Sequence, residues 1–588
     1  MSQFAQIQPI PAGSASDGSL SPLLTVRLLR VIAQFVECHG WGAFGVLSLG
    51  LVWGSLSTMI GRRLDHDELF TFYIAQAPTI HELLRLTHTV DLHPPLSYLL
   101  VRGSFAIFGV SSWSCRLPFL LAFVATSALL FFILSRLFSP IYGLISTMTL
   151  WSISLAYLAT EARPYSMVLC FATALLVSWH RAVERKQKGD RRWLLSAVAA
   201  SGIALLLSHI LGVIAFAGFF VAEFVRFYLR REPDWGVWVA LMLPLISVST
   251  YIPLIHDRSA MLFAQEYRVT PLRMVSFYWE SVRYLLVPFS FIGMLALVWP
   301  HLRKQADESS PAETRATSVS FLVLLGYLSL VPLAIGILFA RSGTAFFDRY
   351  GIVWLIPLTI VPVVVLAVRT QRNRLAATLT MLLLATAFIL NTSGKAWLVG
   401  QLSNLFPAGV AAKLLFALAA PPIITVHFPP TPGYLQASLA TVPLITDFDS
   451  VAPELPLVAN TGLTFLELDH QGSEQLTDRF YMLTDAESAS SIARDTVFAH
   501  YEKVRDAFHL RSMLAPYCAF VSAHPRFVVI GAYNNPQGWL LRKLDHDKAE
   551  LRAIGTCSGF SEDCQIYQVS VRSKQCQESS KSTNNTIE

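Results

Sequence analysis

Residues 117–134 read LPFLLAFVATSALLFFIL, a run without one charged side chain. In a helix it is long enough to cross the hydrocarbon core of a bilayer. Similar runs lie on both sides of it: Trp41–Ile60, Ile141–Tyr157, Tyr165–Trp179, Trp193–Leu207, Ile210–Val225, Trp235–Ile255, Tyr284–Pro300, Val319–Ala340, Gly351–Val368 and Leu375–Leu390. That makes about eleven spans. Composition agrees: of 588 residues, 53% are hydrophobic and 14% charged, mean hydropathy is +0.49 and net charge is +6. A soluble globular chain carries about 25% charged residues, so disorder, a coiled coil and an ordinary cytosolic enzyme are excluded. The small positive charge sits in short clusters between apolar runs and does not argue for nucleic acid.

Those clusters set the sides, because short cytoplasmic loops are rich in Lys and Arg. The clusters are Arg181–Arg192, Arg226–Arg231, Arg303-Lys304 and Arg369–Arg374, with two spans between neighbours each time. All four can therefore be cytoplasmic, with the N-terminus beside them and everything after Leu390 outside. Pro94–Val110 is apolar but holds Arg102 near its middle, and a centred Arg is costly in lipid. It reads as an interfacial or re-entrant helix. The outer face then collects loops 62–93, 159–163, 256–279 and 341–350.

The predicted organisation is a cytoplasmic segment over 1–40, a membrane core over 41–391 with its first outer loop at 61–116, an extracytoplasmic α/β domain over 392–571 and a polar tail over 572–588. In the C-terminal part, Leu405–Ile424 is amphipathic. PLITDF, LPLVAN, PRFVVIGAY and CQIYQVSV read as strands, PLITDF and LPLVAN as buried ones, and Ala486–Arg511 has helical spacing. Cys557 and Cys564 are close enough in sequence to close a short disulfide loop, which suits an oxidising compartment; the other reading is two free thiols. Met1–Ser21 has no cleavable signal pattern.

The chemically suggestive residues all fall in the outer loops. Asp65-His66-Asp67-Glu68 follow the first span, and Asp91-Leu92-His93-Pro94-Pro95 precede the interfacial helix. Three readings compete. These are solvated loop charges with a proline-started helix, a general base for an incoming hydroxyl, and a hard-metal site for a divalent ion. No dedicated metal motif is present, so no metal ligand is assigned. Arg163 and Arg349-Tyr350 offer guanidinium groups at headgroup depth, suited to bidentate phosphate binding. His209, at a tight turn between spans, reads as a structural turn residue. Phe70, Phe72, Tyr73 and Trp279 are candidates to stack on a sugar, although interfacial belts use the same residue types.

The order of Asp67-Glu68, Asp91–Leu96, Arg116-Leu117-Pro118 and Glu161-Ala162-Arg163-Pro164-Tyr165-Ser166, with Arg349-Tyr350 later, resembles bacterial membrane glycosyltransferases of the GT-C fold. The resemblance is to the family 39-like group, relatives of protein O-mannosyltransferases and of the lipid A aminoarabinose transferase. It touches most of the chain, but its specific motifs lie in the first 180 or so residues. It implies a helical membrane core and no nucleotide-sugar domain. It also implies transfer of one sugar from a polyprenyl-phosphate donor to an acceptor hydroxyl (protein, lipid or polysaccharide) on the outer face of the inner or plasma membrane. Asp67 is then the expected base, with Glu68 and Asp91 orienting it and a neighbouring carboxylate raising its pKa. Arg163 and Arg349 are expected to hold the phosphate, with His93, Glu161, Tyr165 and Tyr350 beside the donor, and one displacement inverts the anomeric carbon. A flippase for lipid-linked sugars would instead want charges at mid-membrane and an internal repeat. A non-catalytic anchor for the C-terminal domain would leave the acidic loop unexplained.

Overall fold

The computed structural model describes residues 22–91, 93–184, 188–251, 268–298, 312–392, 431–432, 435, 442–497, 501–557 and 564–571. The sequence expectations for Leu405–Ile424, Arg303-Lys304, the N-terminal 1–21 and the polar tail from Arg572 lie outside these residues.

The chain is a mainly helical, multi-pass membrane protein with a sheet-containing C-terminal region. Over its described residues, each run expected to span is largely helical; 252–255 and 299–300 lie outside them. Seven helices among the described residues are long and apolar enough to cross a bilayer, and the bent pair Pro271–Val282 and Leu286–Val298 makes up to eight. The others are shorter. Pro140–Trp151 passes into a 3-10 turn at Ser154–Thr160, and Trp235–Met242 does the same at Leu243–Tyr251. The helix at Leu96–Phe108 has 13 residues, about 20 Å, too short to cross alone. Its Arg102 is satisfied within the protein: the guanidinium donates to the carbonyls of Ala77, Ala75 and Pro78 at the end of helix His66–Ala75.

At the end carrying the basic clusters, helices Tyr165–Glu184, Lys188–Ser208 and Gly212–Arg230 are tied by buried charge. Arg226 pairs with Glu223 and Asp234, Arg191 holds Asp234 at 2.5 and 2.6 Å, and the Trp179 indole donates to Glu223. Glu223 is thereby an element of scaffold.

After Leu457 the chain builds one six-stranded sheet: β1 (Leu457–Ala459), β2 (Phe480–Thr484), β3 (Met513–Pro516), β4 (Arg526–Ile530), β5 (Glu550–Cys557) and β6 (Cys564–Ser570). The order is β3-β2-β1-β4-β6-β5, with the first four parallel and β6 antiparallel to both neighbours. LPLVAN, PRFVVIGAY and CQIYQVSV hold β1, β4 and β6. Cys557 and Cys564 are disulfide-bonded across the β5–β6 turn. Two expectations need correction. PLITDF is not a buried strand: it adds one bridge, Leu444 to Thr556, outside the edge strand β5, and Leu444 is 60% exposed. Pro443 cannot donate to a ladder, which confines this stretch to the edge. Ala486–Arg511 is not one helix: Arg494 takes a left-handed φ of 51° after a wide turn at Ala489–Ala493, and helix resumes at Tyr501–Phe508.

Candidate active site

The site begins with a knot. Asp65 caps helix His66–Ala75 by accepting from the Glu68 amide at 2.9 Å, and Glu68 reaches back to the Asp65 amide at 3.1 Å. The same Glu68 carboxylate takes Arg116 bidentately, Nε at 2.7 Å and Nη2 at 2.5 Å, and accepts from Arg62 and from the Ala162 amide. Arg116, with no exposed surface, spends its other hydrogens on the carbonyls of Met59, Arg62 and Arg63. One ion pair thus fastens the end of the first span, the start of the acidic loop, the head of helix Ser112–Leu137 and the Glu161-Ala162-Arg163 stretch. Glu68 was expected beside the reacting groups; the fold encloses it in the scaffold instead.

With Glu68 turned inward, Asp67 faces the other way. Its Oδ2 lies 2.6 Å from Arg349 Nη2, its Oδ1 lies 3.3 Å from His66 Nδ1, and its carbonyl accepts from Arg163 at 3.0 Å. Arg163 Nη1 also donates to Asp91 Oδ2 at 3.0 Å, where the Tyr98 hydroxyl donates too. His93 is buried, with Nδ1 2.7 Å from the Asp91 carbonyl oxygen and its ring 5.1 Å from that of His209. His209 Nδ1 accepts from the Leu211 amide, as a turn residue does. Four separate loops therefore converge, and Asp67, Asp91, His93, Arg163 and Arg349 form one constellation.

Electrostatics follow from that geometry. Burial lifts Asp67, but Arg349, Arg163 and His66 outweigh it and hold the carboxyl well below its ordinary range. The expected upward shift of the base is therefore reversed, because its partners are cations. Asp91 behaves alike: burial is overcome by Arg163, His93 and Tyr98, and its pKa drops. Behind them sit carboxyls of opposite tendency. Burial, then Glu68 and Asp67, push Asp65 up to about 7; burial, then Asp65 and Glu68, push Glu161 up to about 8.

Two guanidinium atoms stand out. Arg163 Nε and Arg349 Nε are buried and have no hydrogen-bond partner among the described residues. Leaving such donors unpaired is costly. Beside Arg349 lies a small cavity of about 10 Å³ whose wall includes Tyr165, His209 and Tyr350, with aliphatic side chains around them. Arg349 stands over the Tyr165 and Phe347 rings. Among the described residues no group of three or more His, Cys, Asp or Glu is placed to hold a metal ion.

Sequence reasoning missed the contribution of the C-terminal region. The His66 amide donates to Glu467 at 2.8 Å, and His66 Nε2 lies 2.5 Å from the Tyr501 hydroxyl. Tyr73 stacks on Phe508 and bonds His470, and Phe70 packs edge-on to Phe508. Phe72 adds an edge contact to His470. Phe70, Phe72 and Tyr73, candidates for sugar stacking, are spent on this interface. Trp279 is 39% exposed on helix Pro271–Val282. No periodicity signals such docking; only the partial apolar face at Tyr501, Val504 and Phe508 hinted at it.

Residues 92–252 match the family model of dolichyl-phosphate-mannose-protein mannosyltransferases. The match supports a glycosyltransferase and covers His93, Arg163, Tyr165 and His209; Asp67, Asp91 and Arg349 lie outside it. No curated protein matches the chain. Among solved structures, ArnT from Cupriavidus metallidurans is similar at 12% identity over 90% of this chain and 98% of that one. The TM-score is 0.48 for its apo state and 0.47 for its complex with undecaprenyl phosphate.

Proposed function

We propose that this protein is a membrane glycosyltransferase that moves one sugar from a polyprenyl-phosphate donor to an acceptor hydroxyl on the extracytoplasmic face. The observation that carries the reading is the pair of unpaired, buried guanidinium donors: Arg349 Nε, on the guanidinium that lines a small cavity and holds the Asp67 carboxylate, and Arg163 Nε, on the guanidinium that holds the Asp67 carbonyl. A phosphate suits such donors. The family whose pattern runs through 92–252, dolichyl-phosphate-mannose-protein mannosyltransferases, takes its sugar from a lipid phosphate.

In the chemistry this supports, the acceptor oxygen attacks the anomeric carbon from the face opposite the phosphate. The bond from that carbon to the phosphate oxygen breaks, and its electron pair stays on the phosphate. The hydroxyl proton passes to Asp67. Inversion follows from the single displacement. Arg163 and Arg349 offset the charge that develops on the leaving phosphate. Asp67 begins as their counter-ion, too weak a base to accept a proton well. As the phosphate takes over the guanidiniums, the charges holding Asp67 low are shared, and its pKa climbs toward the working range. His93, Tyr165 and Tyr350 line the donor side. Glu161 acts from behind as a carboxyl that stays protonated near neutral pH.

The extracytoplasmic placement is supported by Arg181, Arg191 and Arg226, which lie at the far ends of the helices that Arg163 and His209 flank, and by the disulfide of Cys557 with Cys564. The N-terminus is then cytoplasmic, and the domain scheme of 1–40, 41–391, 392–571 and 572–588 stands as part of the same proposal. The test is transfer from a synthetic polyprenyl-phospho-hexose by purified protein in nanodiscs, with Asp67→Asn alongside. Wild-type turnover with inversion, lost in the variant, is expected; full turnover by Asp67→Asn overturns the base.

A further inference from the structure

A second cleft lies in the C-terminal sheet region, and nothing in the transfer chemistry uses it. It is an open cleft of about 70 Å³ at the carboxyl ends of β1 and β2, with Thr461 and Gly462 following β1, Asp485 following β2, and Asp495, Gln537 and Trp539 completing the wall. Its position follows from the topology. The chain runs from β1 outward to β2 and β3, then returns to lay β4 on the other side of β1. Such a reversal opens a crevice at the carboxyl ends of parallel strands, where open α/β sheets take their ligands.

The cleft is held rigidly. Asn460 donates to the Ala532 carbonyl at 2.9 Å and accepts from the Leu541 amide at 3.1 Å. Gly531, at φ +136°, and Gly538 lie so close to Asn460 that a Cβ on either would strike it. Asp495 is 4% exposed; it accepts from the Val497 amide at 2.8 Å and from Gln537 Nε2 at 3.2 Å. Asp485 is fixed by Ser488, through its amide at 2.9 Å and hydroxyl at 2.6 Å.

The wall chemistry selects the ligand. No Lys or Arg is among the described residues lining the cleft; of its two aspartates, Asp485 pairs with Lys543 at 3.9 Å and Asp495 is buried. They oppose the attraction that the N-terminus of helix Gly462–Gln471 would otherwise have for an anion. Carboxylates, an amide and threonine hydroxyls accept from and donate to vicinal hydroxyls. An indole wall suits the apolar face of a sugar ring.

We propose that this cleft is a second carbohydrate site, separate from the transfer centre, that binds an uncharged saccharide. The wall nevertheless touches the transfer centre at one point, since the Gly462 carbonyl accepts from the Tyr501 hydroxyl, which also meets His66.

The experiment is saturation-transfer NMR on the full-length protein in nanodiscs. The probes are free D-glucose, D-mannose and L-arabinose, their methyl glycosides, and inorganic phosphate. At least one neutral sugar should bind, and phosphate should not displace it. Binding should weaken about tenfold in Gln537→Ala, the loss expected for a hydrogen bond to a sugar. It should vanish in Ala486→Trp, which plugs the exposed mouth while leaving the core untouched, with thermal unfolding as the check on folding. Preference for the methyl glycosides marks a glycan end as ligand; preference for the free forms marks a soluble sugar. Asp67→Asn should bind as wild type does, which keeps this result distinct from failure of the transferase reading. No binding by any sugar, displacement by phosphate, or unchanged binding in folded Ala486→Trp overturns the proposal.

Discussion

Arg349 Nη2 lies 2.6 Å from Asp67 Oδ2. The two come from opposite ends of the membrane core, and each neutralises the other in the ligand-free protein. In the proposed chemistry, this pair makes Asp67 both the gatekeeper of the phosphate site and the proton acceptor. Asp67→Asn should therefore lower turnover about 10²–10⁴-fold, the usual worth of a positioned base. Donor binding should be equal or tighter, since a competing carboxylate has gone. Arg349→Ala should raise the donor KM and lower kcat together. Steady-state kinetics with varied polyprenyl-phospho-sugar separates these outcomes; unchanged donor KM in Arg349→Ala counts against the phosphate contact.

Arg116→Ala should damage folding more than chemistry. It removes one partner of a buried pair and orphans Glu68 among hydrogen bonds to three segments. Such a loss costs about 3–5 kcal/mol. Arg116→Lys should also fail, since a point charge does not replace a bidentate fork. Thermal unfolding in one detergent, read beside expression level, checks this.

Glu161 predicts a pH effect of definite sign. Its pKa rises from an ordinary 4.5 to about 8 in the folded chain. The folded state thus keeps a proton that the unfolded state releases near pH 4.5. Stability from this group is full below that value and falls as pH rises through about 8. Asp67 and Asp91, held low, act oppositely and withdraw their stabilisation only as the medium becomes strongly acidic. Glu161→Gln should unfold at a higher temperature than wild type at pH 9 and differ little at pH 5. Parallel curves across that range would refute the assignment.

Tyr501→Phe removes one hydroxyl that bridges His66 and the Gly462 carbonyl. His66 in turn lies 3.3 Å from Asp67. Turnover should drop about fivefold, equivalent to about 1 kcal/mol for one hydrogen bond. The acid limb of the pH–rate profile should move as well, which a merely structural loss would not cause. An unmoved profile would place Tyr501 in packing alone.

Sidedness can be read from two native thiols. Cys38 and Cys518 are exposed, while Cys115 and Cys170 are buried. With Cys576 replaced by Ser throughout, a membrane-impermeant maleimide in intact cells should label Cys518 in a Cys38→Ser chain. Cys38 in a Cys518→Ser chain should label only after permeabilisation. The reverse pattern would invert the topology and remove the extracytoplasmic reading.

Much of this was legible in the sequence, for identifiable reasons. Uncharged runs such as 117–134 declare themselves because lipid leaves backbone groups no other partner than their own helix. Asp67, Asp91, His93, Arg163 and Arg349 stood out as polar residues at the ends of such runs, and the fold brings them together. Glu68 misled: as the neighbour of Asp67 it looked like part of the same chemistry, but successive residues at a helix start point in different directions. The low pKa of Asp67 was hidden because it depends on Arg349, far along the chain. The role of Tyr501 was equally hidden, since a tyrosine on an amphipathic stretch reads as core until its partner is seen. PLITDF failed because apolar composition does not distinguish an edge from a centre.

The grip of Tyr501 and Glu467 on His66 joins residues 435 and 401 positions apart. Translation therefore delivers the two halves of this contact far apart in time. A ribosome adds more than 400 further residues before the acidic loop gains this support. A chain released before Glu467 and Tyr501 were made would lack that brace. On the proposed chemistry, the loop carrying Asp67 is therefore completed only after the C-terminal sheet region has emerged.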